Sequence, residues 1–286
     1  MDAAICLKNV TKRYGDFTLD HITMDIPKGC IVGLVGENGA GKTTLLKAIL
    51  QMVSIQEGEI LLDGRPLADL APQWKEQVGV ILAGVEFAGR MNARQFGNCM
   101  RSLYRNWRDD QFEKYLKDLQ IDAHKDIKDY SKGMKMKLDL AVALSHQAKV
   151  LIFDEATSGL DPVVRDDILD ILLEFIQDEE HTVLISSHII SDLEKVADYI
   201  AFLHEGKLQF FMDKDRLLYH FGVVRCTLEE YKKIPAEYVR GSRKSQFGCE
   251  VLICERERFL REYPGYVVDP ADIEEIILYH VKGETR

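Results

Sequence analysis

Nine consecutive residues carry the densest chemistry in this 286-residue chain: Gly36-Glu37-Asn38-Gly39-Ala40-Gly41-Lys42-Thr43-Thr44. They follow a continuous apolar run, Cys30-Ile31-Val32-Gly33-Leu34-Val35, which reads as a strand buried on both faces, and they lead into a helix from about Lys42. The glycines let backbone N–H groups converge on one point, and the helix start adds the positive end of its dipole, so the stretch suits phosphate groups. Lys42 brings a point charge to the phosphates, and the Thr43 hydroxyl is placed to ligate Mg2+. The pattern G-x-x-x-x-G-K-[ST], in its setting of strand, turn and helix, is a P-loop.

A cradle of this kind needs a carboxylate from a neighbouring strand to complete the Mg2+ shell. Val150-Leu151-Ile152-Phe153-Asp154-Glu155 supplies two acids at the end of an apolar strand, the edge where α/β sheets hold their ligands. Asp154 is assigned to the metal, through water, and Glu155 to polarising the attacking water. A third buried strand, Thr182-Val183-Leu184-Ile185-Ser186, runs on to Ser187-His188. At that edge His188 can donate to a γ-phosphate or orient Glu155 and the water.

The elements that must position these groups are legible in the apolar pattern. Ile5, Leu7 and Val10, then Phe17, Leu19, Ile22, Met24 and Ile26, suit strands with one buried face, and Glu59 to Arg65 reads as a strand entering the Asp63-Gly64 turn. From about Asn92 to Gln147 the spacing becomes helical, which predicts a helical insertion. The α/β core then resumes with helices predicted over about 163–177 and 191–197, and with strands at Tyr199 to Leu203 and Lys207 to Phe211. Beyond about Asp213 a small α/β appendage is expected. There Thr227 with Glu230 forms a capping box, Glu250 to Cys254 and Gly265 to Val268 look like strands, and Asp269-Pro270 reads as an N-cap followed by proline at the first helical position. The fold class is therefore α/β: a P-loop NTPase with a mainly parallel core sheet, an antiparallel β subdomain, a helical insertion and the appendage. The domains are residues 1–213, with the helical subdomain at about 92–147, and residues 214–286.

Composition narrows the function. The formal net charge is −10 and the pI about 5.4, which gives no support to a nucleic-acid surface. Every apolar run is cut by charge within a few positions, so no spanning segment is expected, and the start lacks the basic and apolar pattern of a secretory signal. Six cysteines without a CxxC pair fit a reduced cytosolic protein better than a disulfide framework or a zinc site.

Together these residues resemble the nucleotide-binding subunit of ABC transporters over roughly residues 1–213, about three quarters of the chain. Tyr130-Ser131-Lys132-Gly133-Met134-Lys135-Met136-Lys137-Leu138 is similar to the LSGGQ signature in a divergent form. It keeps Ser131 and Gly133, and it carries Tyr130, Lys132 and Met134 in place of Leu, the first Gly and Gln. It lies 23 residues before Asp154, and Ser131 suits the N-cap of the helix that follows. The resemblance implies ATP and Mg2+ as cofactors, Tyr14 (or Phe17 nearby) as the aromatic stacked on adenine, Ser158-Gly159-Leu160-Asp161-Pro162 as the D-loop with Asp161 facing the dimer partner, and His188 as the switch histidine. The family's glutamine, some forty residues beyond Lys42, is replaced by Ala83; either Glu86 takes over by a shifted loop or water fills the place.

The resemblance further implies a head-to-tail dimer, with itself or a homologous ATPase subunit, in which ATP lies between one cradle and the other chain's Ser131, Lys132, Gly133 and Met134. It implies an integral membrane permease as partner, docked near the loop from Ala83 to Arg94 and the helical insertion, and a cytoplasmic position on the inner face of the cell membrane. No nucleic-acid partner is expected. Exporter-type systems with a separately encoded permease match best, with importers left open. The rival class is a soluble ATPase of the same superfamily acting on nucleic acid or ribosomes.

Overall fold

A run of five residues without a polar side chain is stable in water only with both faces covered. In the computed structural model, which describes residues 2–70, 72–82, 90–155, 157–245 and 248–283, Ile31–Val35 forms such a strand and all five residues are buried. Contacts divide the chain into two compact units, Met1–Phe210 and Phe211–Arg286.

In the first unit, β1 (Ala3–Tyr14) and β2 (Phe17–Pro27) pair as an antiparallel hairpin, and β3 (Ile31–Val35) leads through the glycine loop into α1 (Lys42–Ile49). β4 (Glu57–Leu62) pairs with β1, and β5 (Arg65–Pro66) follows the Asp63-Gly64 turn, giving a sheet in the order β2-β1-β4-β5. β6 (Val78–Leu82) belongs to a second sheet. The insertion then supplies α2 (Ala93–Leu103), α3 (Asp109–Asp118) and α4 (Lys132–Ser145), packed around Phe112, Leu116, Leu138 and Ala141. Asn92 and Gln95 form a capping box that starts α2.

The core continues with β7 (Val150–Asp154), α5 (Pro162–Phe175), β8 (Thr182–Ser186), α6 (Ile190–Val196), β9 (Tyr199–His204) and β10 (Lys207–Asp213). Its sheet runs β10-β9-β3-β8-β7-β6, and β9, β3, β8, β7 and β6 are parallel neighbours. This order sets the ends of β3, β8 and β7 side by side, so the glycine loop, Ser186 and Asp154 share one sheet edge.

The second unit contains α7 (Lys214–His220), β11 (Gly222–Cys226), α8 (Leu228–Tyr231), β12 (Val239–Ser245), β13 (Gly248–Ile253), α9 (Arg256–Glu262), β14 (Val268–Pro270) and α10 (Ile273–Lys282). Its antiparallel sheet runs β12-β13-β11-β14, with Val224, Tyr231, Tyr238, Val251 and Phe259 in the core. The Thr227-Glu230 capping box is present. Two expectations are corrected here. Residues 265–267 are not a strand, because the pairing with β11 begins only at Val268. Asp269-Pro270 does not open a helix: both residues lie in β14, an edge strand where proline's missing N–H disturbs no ladder, and Asp269 pairs with Arg225. The cap of α10 is Asp272, in a capping box with Glu275.

Candidate active site

The glycine loop is shaped by what presses on it. A side chain at Gly36 would bring its Cβ to 2.4 Å from the Leu203 carbonyl oxygen of β9. Gly41 takes φ +108 as the N-cap of α1, and a Cβ there would stand 2.9 Å from the Phe17 ring. No side chain caps α1, so its first N–H groups are left for an anion. Glu37, Asn38, Gly39 and Thr43 are exposed, Thr44 is half-buried, and Ala40 is buried beneath them.

Lys42 is only 5% exposed. Its ammonium donates to the carbonyl oxygens of Gly36 at 2.7 Å and Glu37 at 3.2 Å, and stands 3.1 Å from Glu155 Oε1. The other oxygen of Glu155, Oε2, lies 3.1 Å from His188 Nδ1. Burial would raise the Glu155 carboxyl, but the hydrogen bond and charge of Lys42, joined by His188, outweigh it and hold the group below the usual carboxylate range. The structure thus brings together Lys42, Glu155 and His188 from three separate segments.

Asp154 ends β7 in register with Ser186 of β8. Ser186 Oγ donates to Asp154 Oδ1 at 2.8 Å and accepts the Glu155 N–H at 3.1 Å. Sequence reasoning passed over Ser186 as a strand residue; its signal was a hydroxyl at the last position of a buried strand, level with Asp154. Thr43 and Asp154 offer hard oxygen donors of the kind that Mg2+ takes. Tyr14 is 44% exposed with the Lys12 ammonium 4.7 Å from its ring centre, and it pairs across the hairpin with Phe17, the aromatic that touches the loop.

Ser131 caps α4 by accepting the Met134 N–H at 3.2 Å. Lys132 donates to the Ser158 carbonyl, and a Cβ at Gly133 would meet Val164 at 3.0 Å. Asp161 caps α5 through the Val164 N–H at 3.0 Å, with Pro162 at the first helical turn. The signature therefore packs against the D-loop segment of its own chain, and no hydrogen bond among the described residues joins it to residues 36–44. Ala83 and Glu86 lie outside the described residues.

Residues 19–158 match the family described as ABC transporter. The bacitracin transport ATP-binding protein BcrA of Enterococcus faecalis is 35% identical over 211 residues, 73% of this chain and 68% of that protein. This chain belongs to the ABC transporter ATP-binding family. A second relative, the ABC transporter ATP-binding protein YtrB of Bacillus subtilis, is 27% identical over 280 residues, covering 95% of this chain and 96% of that one. The ABC fold recurs in the dimeric, post-hydrolysis structure of the ATP-binding cassette MJ0796 bound to ADP and Pi, with a TM-score of 0.65 at 21% identity over 73% of this chain and 98% of that chain. An ABC subunit of this kind binds ATP and hydrolyses it to power transport.

Proposed function

We propose that this chain is the ATPase subunit of an exporter, working as a dimer on the cytoplasmic face of the membrane beneath a separate integral membrane permease. The observation that carries the reading is Glu155, held at one oxygen by Lys42 and at the other by His188 beside the glycine loop. A carboxylate fixed in this way at a phosphate cradle is suited to take a proton from water attacking the γ-phosphate.

The geometry supports these roles. The N–H groups of residues 36–44 and the Lys42 ammonium bind the triphosphate, and Tyr14 and Phe17 offer the base an aromatic face. Thr43 and Asp154 would hold Mg2+, which supplies positive charge to the phosphate oxygens. His188 orients Glu155, and Ser186 fixes the backbone that carries it. Ser131, Lys132, Gly133, Met134 and Asp161 are assigned to the partner chain's ATP, a reading supported by their separation from their own loop and by the dimeric state named for the MJ0796 cassette. ATP then bridges two chains, and its hydrolysis lets them part. The relative named for bacitracin transport supports export.

Glu155→Gln tests the assignment. The variant is expected to keep ATP affinity, to lose turnover by a factor on the order of 10²–10³, and to accumulate as an ATP-dependent dimer in size-exclusion chromatography. Turnover at the wild-type rate would remove Glu155 from its role.

A further inference from the structure

The two-residue turn Glu205-Gly206, between β9 and β10, has no part in the chemistry above, yet it holds the glycine loop from the side. The Gly206 N–H donates to the Ala40 carbonyl at 3.0 Å, and the Gly206 carbonyl accepts the Asp20 N–H of β2 at 2.8 Å. One residue is thus bonded both to the phosphate loop and to the strand that begins at Phe17. Phe17 in turn packs on Gly41 of the loop, which closes a ring of contacts. No side chain fits at 206, where φ is +76 and a Cβ would lie 1.9 Å from the Thr18 carbonyl oxygen.

We infer that Gly206 is a positioning residue for nucleotide binding: it ties the phosphate loop to β2 and so fixes the spacing between the triphosphate cradle and the aromatic face offered to the base. The inference rests on the proposed assignment of residues 36–44 and of Tyr14 and Phe17. A Cβ at 206 must either push β2 away or pull the turn off Ala40. ATP, which spans both subsites, loses affinity in either case. Glu155 and His188 follow β7 and β8, on the far side of β3 from β9, and Glu155 keeps its bonds to Ser186 and His188 even where Lys42 shifts with the loop, so the hydrolytic groups stay in place.

The chain contains its own control. Asp63-Gly64 has φ values of 48 and 73, against 46 and 76 for Glu205-Gly206, but a Cβ at Gly64 meets nothing within 4 Å. Gly64→Ala therefore carries the same left-handed strain without touching the loop.

The test compares full-length variants by equilibrium dialysis with ATP and by steady-state ATPase assays. Gly206→Ala is expected to raise both Kd and KM for ATP on the order of tenfold above Gly64→Ala, with kcat within about twofold. A merely structural defect lowers the active fraction and the apparent kcat and leaves KM in place. Kd and KM values equal to those of Gly64→Ala overturn the inference. Should Gly206→Ala fail to fold, Asp20→Pro, read against Asp20→Asn to allow for the lost carboxylate that pairs with His21 and Lys207, removes the N–H that β2, an edge strand, gives to the turn. It is expected to raise KM roughly threefold, and an unchanged KM again overturns the inference. Lys42→Ala separates the two assignments. If that variant keeps wild-type ATP affinity, the cradle assignment fails; if it loses ATP while Gly206→Ala binds normally, only the tie fails.

Discussion

The hydroxyl of Ser186 acts in two senses, donating a hydrogen bond to Asp154 and accepting one from the N–H of Glu155, and the residue is fully buried. Glu155 needs this support because its backbone sits at φ +49, a region uncommon for a residue with a side chain. The Ser186 carbonyl also accepts the Glu155 N–H, at 3.1 Å, so the strained residue has two anchors on β8. Ser186→Ala removes one anchor and the donor to Asp154. It is expected to lower kcat about tenfold while leaving ATP affinity within roughly threefold, as measured by single-turnover hydrolysis and equilibrium dialysis.

Helix α4 carries a liability as well as the signature. Asp139 lies on it between the buried Leu138 and Leu140 without a hydrogen bond or ion pair among the described residues, and burial pushes its pKa from the ordinary 3.8 up to about 7. The folded protein therefore binds the proton more tightly than the unfolded chain does. The contribution of Asp139 to stability is full below pH 3.8, is lost as pH rises to about 7, and stays absent above it. Asp139→Asn is expected to stabilise the protein at pH 8 by up to ~3 kcal/mol and to have little effect at pH 4, read by urea denaturation across that range. Elements built from continuous apolar runs, β3, β7 and β8, were legible in the sequence because such runs have one stable environment. β12 was not: Val239-Arg240-Gly241-Ser242-Arg243-Lys244-Ser245 has no apolar alternation, and its place is set by backbone pairing with β13. Asp269-Pro270 misled because an aspartate before a proline suits a helix start and an edge strand equally. In the site, the types and order of Lys42, Asp154, Glu155 and His188 were readable, but the ion pair of Lys42 with Glu155 joins segments that only the strand order brings together.

At the scale of the whole molecule, no helix among the described residues is long and apolar enough to cross a membrane. The proposed function places coupling to transport on a second polypeptide, the integral membrane permease. A tagged chain is expected to copurify from detergent-solubilised membranes with a multi-span protein, and an isolated chain whose ATPase activity is stimulated by nucleic acid would count against transport. The bare N-terminus of α1 reaches further than the chemistry it serves. A helix without a side-chain cap typically forgoes about 1 kcal/mol, and in the proposed assignment the triphosphate is the group that completes it. Folding stability and energy supply become one variable: at ATP a hundredfold above its dissociation constant the native state gains about 2.7 kcal/mol. As ATP falls, the proposed linkage is expected to make this subunit open more often and be degraded sooner, so that the abundance of the engine would follow the abundance of its fuel.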